Sequence, residues 1–316
     1  GLKVRTRAGF IGVPDRERSR ELLPVAGPEA RSRQILSALY SPFGARDISL
    51  QMTSFFFNSP KNEPFVRSLL HIDPSKLSFK DDPQVPGRKT LQMEIVSFLF
   101  NEVGAVIDQH GNTFSLSFDE TQYKVALIKG MSHTNDFNVK KPGAYQFRTV
   151  LRDPETGKLG SAGQFIQVPD LTKKRLTLSG MVITAPPEVI AKTLDETIKN
   201  PSAEQAEINP APDSRRFPRG SAMDYGVVAY NAKLDQSTGK PQLHVQVEIF
   251  SNGKVIYQTP GRSAECEGKG EGCDIGGRFS LGGLQPGDYL LHLIVTDPLV
   301  KAKYGRTEQW MDFSVR

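Results

Sequence analysis

The sequence offers few residues whose types and spacing could carry out a reaction. Its histidines form neither an H-x-x-x-H nor an H-E-x-x-H pair; they are His71, His110, His133, His244 and His292. The sequence also lacks a G-x-S-x-G nucleophile elbow, a P-loop and a C-x-x-C pair. We therefore expect no catalytic residue, no cofactor and no metal site. A carboxylate pair assembled only by folding, as in glycosidases, stays open.

Aspartates are the remaining candidates for metal ligands. The run that begins at Asp47 approaches the D-x-S-x-S metal-adhesion motif, but Gln51 stands where the second serine would be. The same run is typical of the start of a strand. Asp108, Asp153 and Asp274 fall in predicted turns, where a carboxylate either binds Ca²⁺ or, more commonly, caps the backbone.

The two cysteines, Cys266 and Cys273, enclose a glycine-rich hexapeptide. This spacing predicts a small disulfide-closed loop, which contributes about 2.5 kcal/mol in the chain-entropy model. Such a bond would place the protein in an oxidising compartment. Two free thiols, or half of a zinc site that lacks its other two ligands, are the alternatives.

One segment occurs twice, 144 residues apart, and indicates two related units. Each copy has the pattern Pro-Gly-x-Tyr, followed eight residues after the tyrosine by Asp-Pro. Pro presets φ and Gly favours a left-handed turn position, so we expect a tight turn leading into a core strand. The tyrosine then resembles the tyrosine corner of immunoglobulin-like domains, and the aspartate ends the strand. These residues are Pro142, Gly143, Tyr145 and Asp153 in the first copy, and Pro286, Gly287, Tyr289 and Asp297 in the second.

The two copies differ on the side of the strand that should face solvent. The first copy has Gln146 and Arg148 there, whereas the second has Leu290 and Ile294 in a similar alternation. Aliphatic side chains on a nominally outer face indicate that something covers it. We predict a contact surface at Leu290 and Ile294; a strand that is buried on both faces is the alternative.

The elements that must position these residues are predominantly strands. Short alternating segments between turn signals favour an all-β fold of two immunoglobulin- or fibronectin-III-like β-sandwich domains, with a short N-terminal basic segment and one or two short helices. A length of 316 residues suits two domains. The predicted boundaries are a basic extension with a short helix at 1–44, sandwiches at 45–185 and 217–316, and a linker with a short helix at 186–216.

Local periodicity gives more detailed expectations. A helix over 29–40 should present Ile35, Leu36, Leu39 and Tyr40 on one face. A linker helix should dock through its apolar row of Ile190, Leu194 and Ile198. We further predict a turn at 108–112, a strand at 123–128, and a strand at 176–183 that belongs to the first sandwich.

Charge and hydropathy exclude two classes of partner. Residues 1–35 hold eight basic and four acidic side chains, so most of the net charge of +5 lies there, and only Phe10 among them is aromatic. That pattern does not favour nucleic-acid binding, which uses a basic stripe with interleaved aromatics. No apolar run is long enough for a membrane span. The alternation in residues 1–13 predicts a short strand that completes a unit upstream.

The segment Gly1–Phe10 resembles the end of the von Willebrand A domain in VWFA-related proteins of Acidobacteria. The Pro142–Asp153 block, the run from Val168 to Leu171, Leu178-Ser179-Gly180 and the Pro286–Tyr289 block resemble the region that follows that domain in this family. The resemblance implies export to the cell surface, the periplasm or the medium. It also implies an A domain upstream in the same chain, and it supplies no catalytic residue.

Together these observations predict a non-catalytic extracellular binding or scaffold module that supports an upstream A-type adhesion domain. Its partner would be a protein or a cell-surface ligand. The alternatives are a carbohydrate-active β-sandwich enzyme, which needs a concave site with two carboxylates, and a structural envelope protein that polymerises through its sheet edges.

Overall fold

The computed structural model describes residues 28–41, 43–59, 63–264, 266, 272–301 and 303–316. The predicted strand in residues 1–13 and most of the loop between the cysteines lie outside the described residues. Half of the chain is in strands and 16% in helices, arranged as four sheets within the described residues. The predicted all-β, sandwich-type fold is therefore confirmed.

The first sandwich packs a three-stranded sheet on a five-stranded one, and every pairing is antiparallel. The smaller sheet has the order β1-β2-β6, with strands β1 (Leu50–Asn58), β2 (Pro64–Ile72) and β6 (Met131–Asn138). The larger sheet is built on β4, which pairs with β5 on one side and with β3 and β7 on the other. Its strands are β3 (Phe79–Asp81), β4 (Lys89–Asn101), β5 (Val106–Phe118), β7 (Gly143–Arg152) and β8 (Leu159–Val168).

The second sandwich also packs two sheets, of four and six strands, and its pairings are antiparallel except for that of β11 with β18. One sheet has β12 at its centre and consists of β9 (Thr177–Leu178), β10 (Val182–Thr184), β12 (Ala222–Tyr230) and β16 (Cys273–Ser280). The facing sheet has the order β11-β18-β17-β13-β14, with β15 also on β13. Its strands are β11 (Arg216–Phe217), β13 (His244–Ser251), β14 (Lys254–Gln258), β15 (Arg262–Ser263), β17 (Gly287–Thr296) and β18 (Arg306–Val315).

The core of the second sandwich follows from strand periodicity. Val245, Val247 and Ile249 alternate along β13 and are almost fully buried, as are Leu291 and Leu293 on the adjacent β17. Because successive side chains of a strand point to opposite faces, this alternation puts the aliphatic residues between the sheets. Burial of each such side chain stabilises the fold by roughly 1.5–3 kcal/mol.

Helix α1 (Pro28–Tyr40) covers the outer face of β4 and β7. Its Ile35 and Leu39 pack with Phe98 and Val150. The predicted apolar face is therefore only partly right, because Leu36 and Tyr40 are exposed.

Two local predictions in the first sandwich are wrong. Residues 108–112 are not a turn, because β5 runs unbroken and pairs with β4 along almost its whole length. Residues 123–128 are not a strand but lie in helix α2 (Glu120–Lys129). The helix begins with a capping box, in which Asp119 accepts from Gln122 N and the Gln122 side chain accepts from Asp119 N.

The second sandwich begins earlier in the chain than the boundary predicted at residue 185. Strands β9 and β10 pair with β12, and Leu178, Met181 and Ile183 enter the core of the second sandwich. The segment 176–185 therefore belongs to the second sandwich rather than to the first. A short apolar strand carries no local signal for which sheet it joins, since the partner is set by tertiary contacts.

The predicted linker at 186–216 is folded onto the sandwiches. It contains α3 (Pro187–Lys199) and the short α4 (Ala203–Glu207), and its Asn209 and Asp213 are buried. The docking face predicted for α3 is wrong. Ile190, Leu194 and Ile198 are exposed, whereas Thr193 and Thr197 are buried and Val189 packs, partly buried, against the core. Both threonine hydroxyls donate to carbonyls four residues earlier, which satisfies them inside the packed face.

Candidate functional site

The repeated segment occupies equivalent positions in the two sandwiches. Tyr145 and Tyr289 are nearly buried, and each hydroxyl donates to the carbonyl oxygen four residues earlier, at 2.6 Å in both cases. The acceptors are Lys141 O and Gln285 O. Both tyrosines thus close a corner at the start of β7 or β17, and their role is structural.

The two aspartates of the repeat also have equivalent partners. Asp153 Oδ2 accepts from Ser78 N and Asp297 Oδ2 accepts from Lys233 N, so each carboxylate ties its strand end to a distant loop. Burial favours a higher pKa for Asp153, but hydrogen bonds from Ser78 and the following turn outweigh burial and hold the pKa below its ordinary value. A carboxylate bonded in this way is a backbone cap.

The glycines of the repeat do not supply a left-handed turn position. Gly143 and Gly287 are the first residues of β7 and β17. Gly143 has a positive φ of 152°, which favours glycine but lies outside the αL region, and Gly287 does not have a positive φ. Strand pairing already begins at each glycine, so the predicted tight turn with glycine in the αL position is not formed.

The predicted disulfide is confirmed. Cys266 and Cys273 are bonded, with their Cα atoms 5.0 Å apart, and both are buried. Cys273 is the first residue of β16, so the bond fixes the end of the cysteine loop to the sheet.

The aspartates considered as metal ligands are not brought together. Asp108 lies in β5 and Asp274 lies in β16, so neither is in a turn. Asp47 accepts a hydrogen bond from Leu159 N. Among the described residues no group of three or more His, Cys, Asp and Glu is arranged to hold a metal ion.

The predicted contact surface lies on the outer face of β13, β17 and β18. Leu290 is 43% exposed, whereas Ile294 is 8% exposed and already covered. Between them in the alternation lies His292, which is 5% exposed and pairs with Trp310 of β18 across the sheet. Of the two residues predicted, Leu290 alone is open to a partner.

The dominant feature of this face is Trp310, a residue of β18 that the sequence patterns do not single out. The indole stacks on the His292 ring, with centroids 3.6 Å apart and planes within 7°. The ring of Phe250 lies 5.2 Å from it at a tilt. Trp310 nevertheless remains 44% exposed. One face of the indole is thus fixed by protein while the rest of the side chain is open to solvent.

His292 is itself held by two carboxylates. Its Nδ1 lies 3.0 Å from Glu248 Oε2 and its Nε2 lies 3.2 Å from Glu308 Oε2. Ionised carboxylates only accept hydrogen bonds, so both bonds form at once when both ring nitrogens carry hydrogens. The two carboxylates hold the His292 ring on which Trp310 stacks. We call Trp310, His292, Glu248 and Glu308 the tryptophan platform.

The tryptophan platform lies beside a cleft of about 590 Å³ at the junction of the sandwiches. The first sandwich contributes residues of β1 and β8, including Phe165, which is 75% exposed. The second contributes residues of β9 and β18, including Trp310. Two exposed aromatic side chains therefore belong to the walls of one polar cleft.

Direct contacts join the two sandwiches beside this cleft. Gly180 N donates to Phe56 O at 2.8 Å, and Asn58 N donates to the Tyr230 hydroxyl at 3.0 Å. Arg215 bridges the sandwiches, since its Nη1 donates to Thr53 Oγ1 while its Nη2 donates to both carboxylate oxygens of Asp312. Arg215 adopts a left-handed φ of 57°, and its side chain is mostly buried.

A second buried polar cluster joins the first sandwich to the segment before β11. Asp213 Oδ2 accepts from the Ser132 hydroxyl and lies 3.4 Å from His71 Nδ1. Burial favours a raised pKa for Asp213, but the hydrogen bonds from His71 and Ser132 more than offset it and lower the pKa. Because Ser132 bonds Asp213 rather than His71, the three residues do not form a nucleophilic triad.

A groove of about 890 Å³ opens between the sheet edges of the second sandwich. Tyr225 and Phe279 in its lining are buried, and Arg262 occupies the opening by donating to Gly276 O. The junction cleft takes residues from both sandwiches and includes Trp310, so it is the better candidate site.

Comparison with known proteins gives only remote structural likeness. Neither a family model nor a curated protein matches the sequence. Among solved structures, a calcium-binding mutant of β-glucuronidase 2 from Bacteroides uniformis has a TM-score of 0.24 at 14% identity, over 41% of this chain and 13% of that one.

Two further structures resemble more of the chain. The β-glucuronidase of Parabacteroides merdae gives a TM-score of 0.28 at 10% identity over 83% of this chain. The exo-chitosanase of Amycolatopsis orientalis gives 0.21 at 11% identity over 80%. The chain spans 30% and 26% of the lengths of these two proteins. At such TM-scores the likeness carries no argument about function.

Proposed function

We propose that this chain is a non-catalytic extracellular binding and scaffold module. The observation that carries the binding role is Trp310, an exposed indole held rigid by buried His292 at the mouth of the junction cleft. A side chain fixed before binding loses little conformational entropy on binding, which favours affinity. Aromatic residues with one open face are also frequent anchors of recognition surfaces.

The arrangement of carboxylates supports a role in binding rather than in hydrolysis. Within the described lining of the cleft, Asp312 is the one acidic side chain, and it is paired with Arg215. Glu248 and Glu308 both bond the same imidazole, which occupies the space that a scissile bond would need. Glycosidases require two carboxylates that face the same substrate bond.

The disulfide between Cys266 and Cys273 supports export, because such bonds persist in oxidising compartments. None of the described helices is long and apolar enough to cross a membrane. The support of an upstream A-type domain rests on the resemblance of the sequence alone. The partner in this proposal is a protein or a cell-surface ligand.

A binding panel tests the proposal. Wild-type chain, W310A and Y304A are assayed against immobilised polysaccharides and extracellular proteins. Tyr304 is the matched control, because it is an aromatic residue of the same sandwich with 42% exposure and does not line the cleft. We expect a ligand whose binding is lost in W310A and kept in Y304A, because the indole is the anchor.

Hydrolysis of chromogenic glycosides is measured in parallel, and we expect no turnover above a blank. Turnover that is lost on substituting Asp312, Glu248 or Glu308 would instead establish an enzyme. Binding that W310A and Y304A leave equally strong, or no binding at all, would contradict the proposed site.

A further inference from the structure

The two exposed aromatic residues of the junction cleft come from different sandwiches. Phe165 is on β8 and Trp310 is on β18, and both belong to the lining of the same cavity. Leaving rings of this size in water forgoes the stabilisation that burial would provide. Open aromatic faces provide dispersion and C–H contacts for flat, partly apolar ligand rings.

Beside apolar residues such as Met52 and Met311, the lining of the cleft includes polar side chains that are held by hydrogen bonds. Gln164 Oε1 accepts from Ser54 N at 2.7 Å, and Gln309 Nε2 donates to Ser179 O at 2.8 Å. These bonds orient both amides. Asp312 is held by Arg215 while its side chain remains 71% exposed, so its carboxylate can accept further hydrogen bonds. A few oriented polar groups beside apolar surface give a ligand site its specificity.

The charge of the cleft restricts the ligand further. Among the described lining residues the only charged side chains are Arg215 and Asp312, which neutralise each other. The neighbouring tryptophan platform adds two carboxylates, Glu248 and Glu308, around one imidazole. Neither surface offers an unpaired cation to an anionic ligand, and like charges placed together are unfavourable.

We infer that the junction cleft binds a neutral saccharide chain, with one sugar ring stacked on Trp310 and another on Phe165. A pyranose ring has an apolar C–H face for the aromatic side chains and a rim of hydroxyls for the Asp312 carboxylate, which lies on the same side of β18 as Trp310. The inference rests on the proposed binding function and specifies its ligand. It also makes the fixed geometry of the two sandwiches part of the site, since each sandwich supplies one aromatic contact.

Isothermal titration with soluble polysaccharides tests this inference. The neutral probes are mixed-linkage β-glucan, galactomannan and arabinoxylan, and the anionic probes are polygalacturonate and hyaluronate. The variants are W310A and F165A. Their matched controls are Y304A and F43A, because Phe43 is also 75% exposed on the first sandwich but does not line the cleft.

We expect at least one neutral polysaccharide to bind, with roughly tenfold weaker affinity in W310A and in F165A. The two controls should bind as the wild type does. Binding of the anionic probes alone, or binding that F165A leaves unchanged, would overturn the inference. If no polysaccharide binds while a protein ligand requires Trp310, the inference fails and the proposed binding function stands. If no ligand of any class depends on Trp310, both fail.

Discussion

At the scale of single residues, the repeated tyrosines and aspartates bond the backbone near the ends of their strands, and one tryptophan is exposed on a sheet face. Tyr145 and Tyr289 make the same hydrogen bond at the same spacing in both sandwiches. Such residues can be identified from the sequence, because their pattern is local and occurs twice. The stacking of His292 on Trp310 cannot be identified in this way, because it depends on the register between β17 and β18.

The pattern of β18 nevertheless contains a signal for Trp310. The strand alternates, with Glu308 and Asp312 on the same side as Trp310. A lone tryptophan among charged residues on one face of a strand indicates an aromatic ring outside the core. What the sequence cannot provide is His292 beneath the ring, because that residue lies on a different strand.

Lys129 gives a test of a buried charge at this scale. Its ammonium donates to the carbonyl oxygens of Gln205 and Ile208. Burial lowers the pKa of Lys129 to about 8 from 10.5, with the Arg216 charge adding to the effect and Glu196 opposing it. Between those two values the unfolded chain binds more protons than the folded one, so the stability of the fold increases with pH.

We therefore expect the free energy of unfolding of wild type, relative to K129M, to increase from pH 8 to pH 10.5. The increase should be on the order of 1 kcal/mol, since Lys129 is only half-buried and solvent screens its charge. Urea denaturation of both proteins at several pH values measures it. A difference that stays constant, or that falls with pH, would mean that Lys129 is not desolvated in the fold.

At the scale of elements, strands are predicted better than the faces of helices. The alternation of β13 and β17 identifies the buried residues correctly, because one face of each strand packs on the facing sheet. Helix α3 shows the opposite outcome. Its apolar row at Ile190, Leu194 and Ile198 has a helical period, yet the tertiary contacts bury the threonine side.

A pair of substitutions in α3 checks this orientation. T197K should destabilise the protein by roughly 2 kcal/mol or more, because it places an unpaired charge in a packed site. L194K should change stability by less than about 0.5 kcal/mol, since Leu194 is exposed. Thermal unfolding of both variants provides the measurement. A larger loss in L194K than in T197K would show that the apolar row is the docked face.

At the scale of the whole molecule, the predicted pair of sandwiches is present, and the contact between them was not predicted. A junction depends on residues far apart in sequence, such as Arg215 with Thr53 and Gly180 with Phe56. Gly180 is required here by close approach, since a Cβ at this position would lie 2.6 Å from Phe55 Cβ. The segment 176–185 therefore contributes both to the core of the second sandwich and to the contact between the two sandwiches.

We expect G180A to separate the sandwiches locally, because the added methyl group has no space. The cost should be about 1–3 kcal/mol, as for other overpacked sites. G226A is the control, because a Cβ on Gly226 would have nothing within 4 Å. Chemical denaturation compares the two variants, and ligand titration shows whether the cleft has changed. Equal stability of G180A and G226A would contradict the close packing of Gly180 against Phe55.

The central claim, that Trp310 is the anchor of a binding site, has a direct optical test because the chain contains a single tryptophan. Fluorescence excited selectively at tryptophan is followed while a neutral polysaccharide that binds the wild type is titrated in. We expect a saturable change in emission whose midpoint equals the dissociation constant from calorimetry. The Y304A variant should show the same change. Binding that leaves the emission of Trp310 unaltered would contradict the central claim.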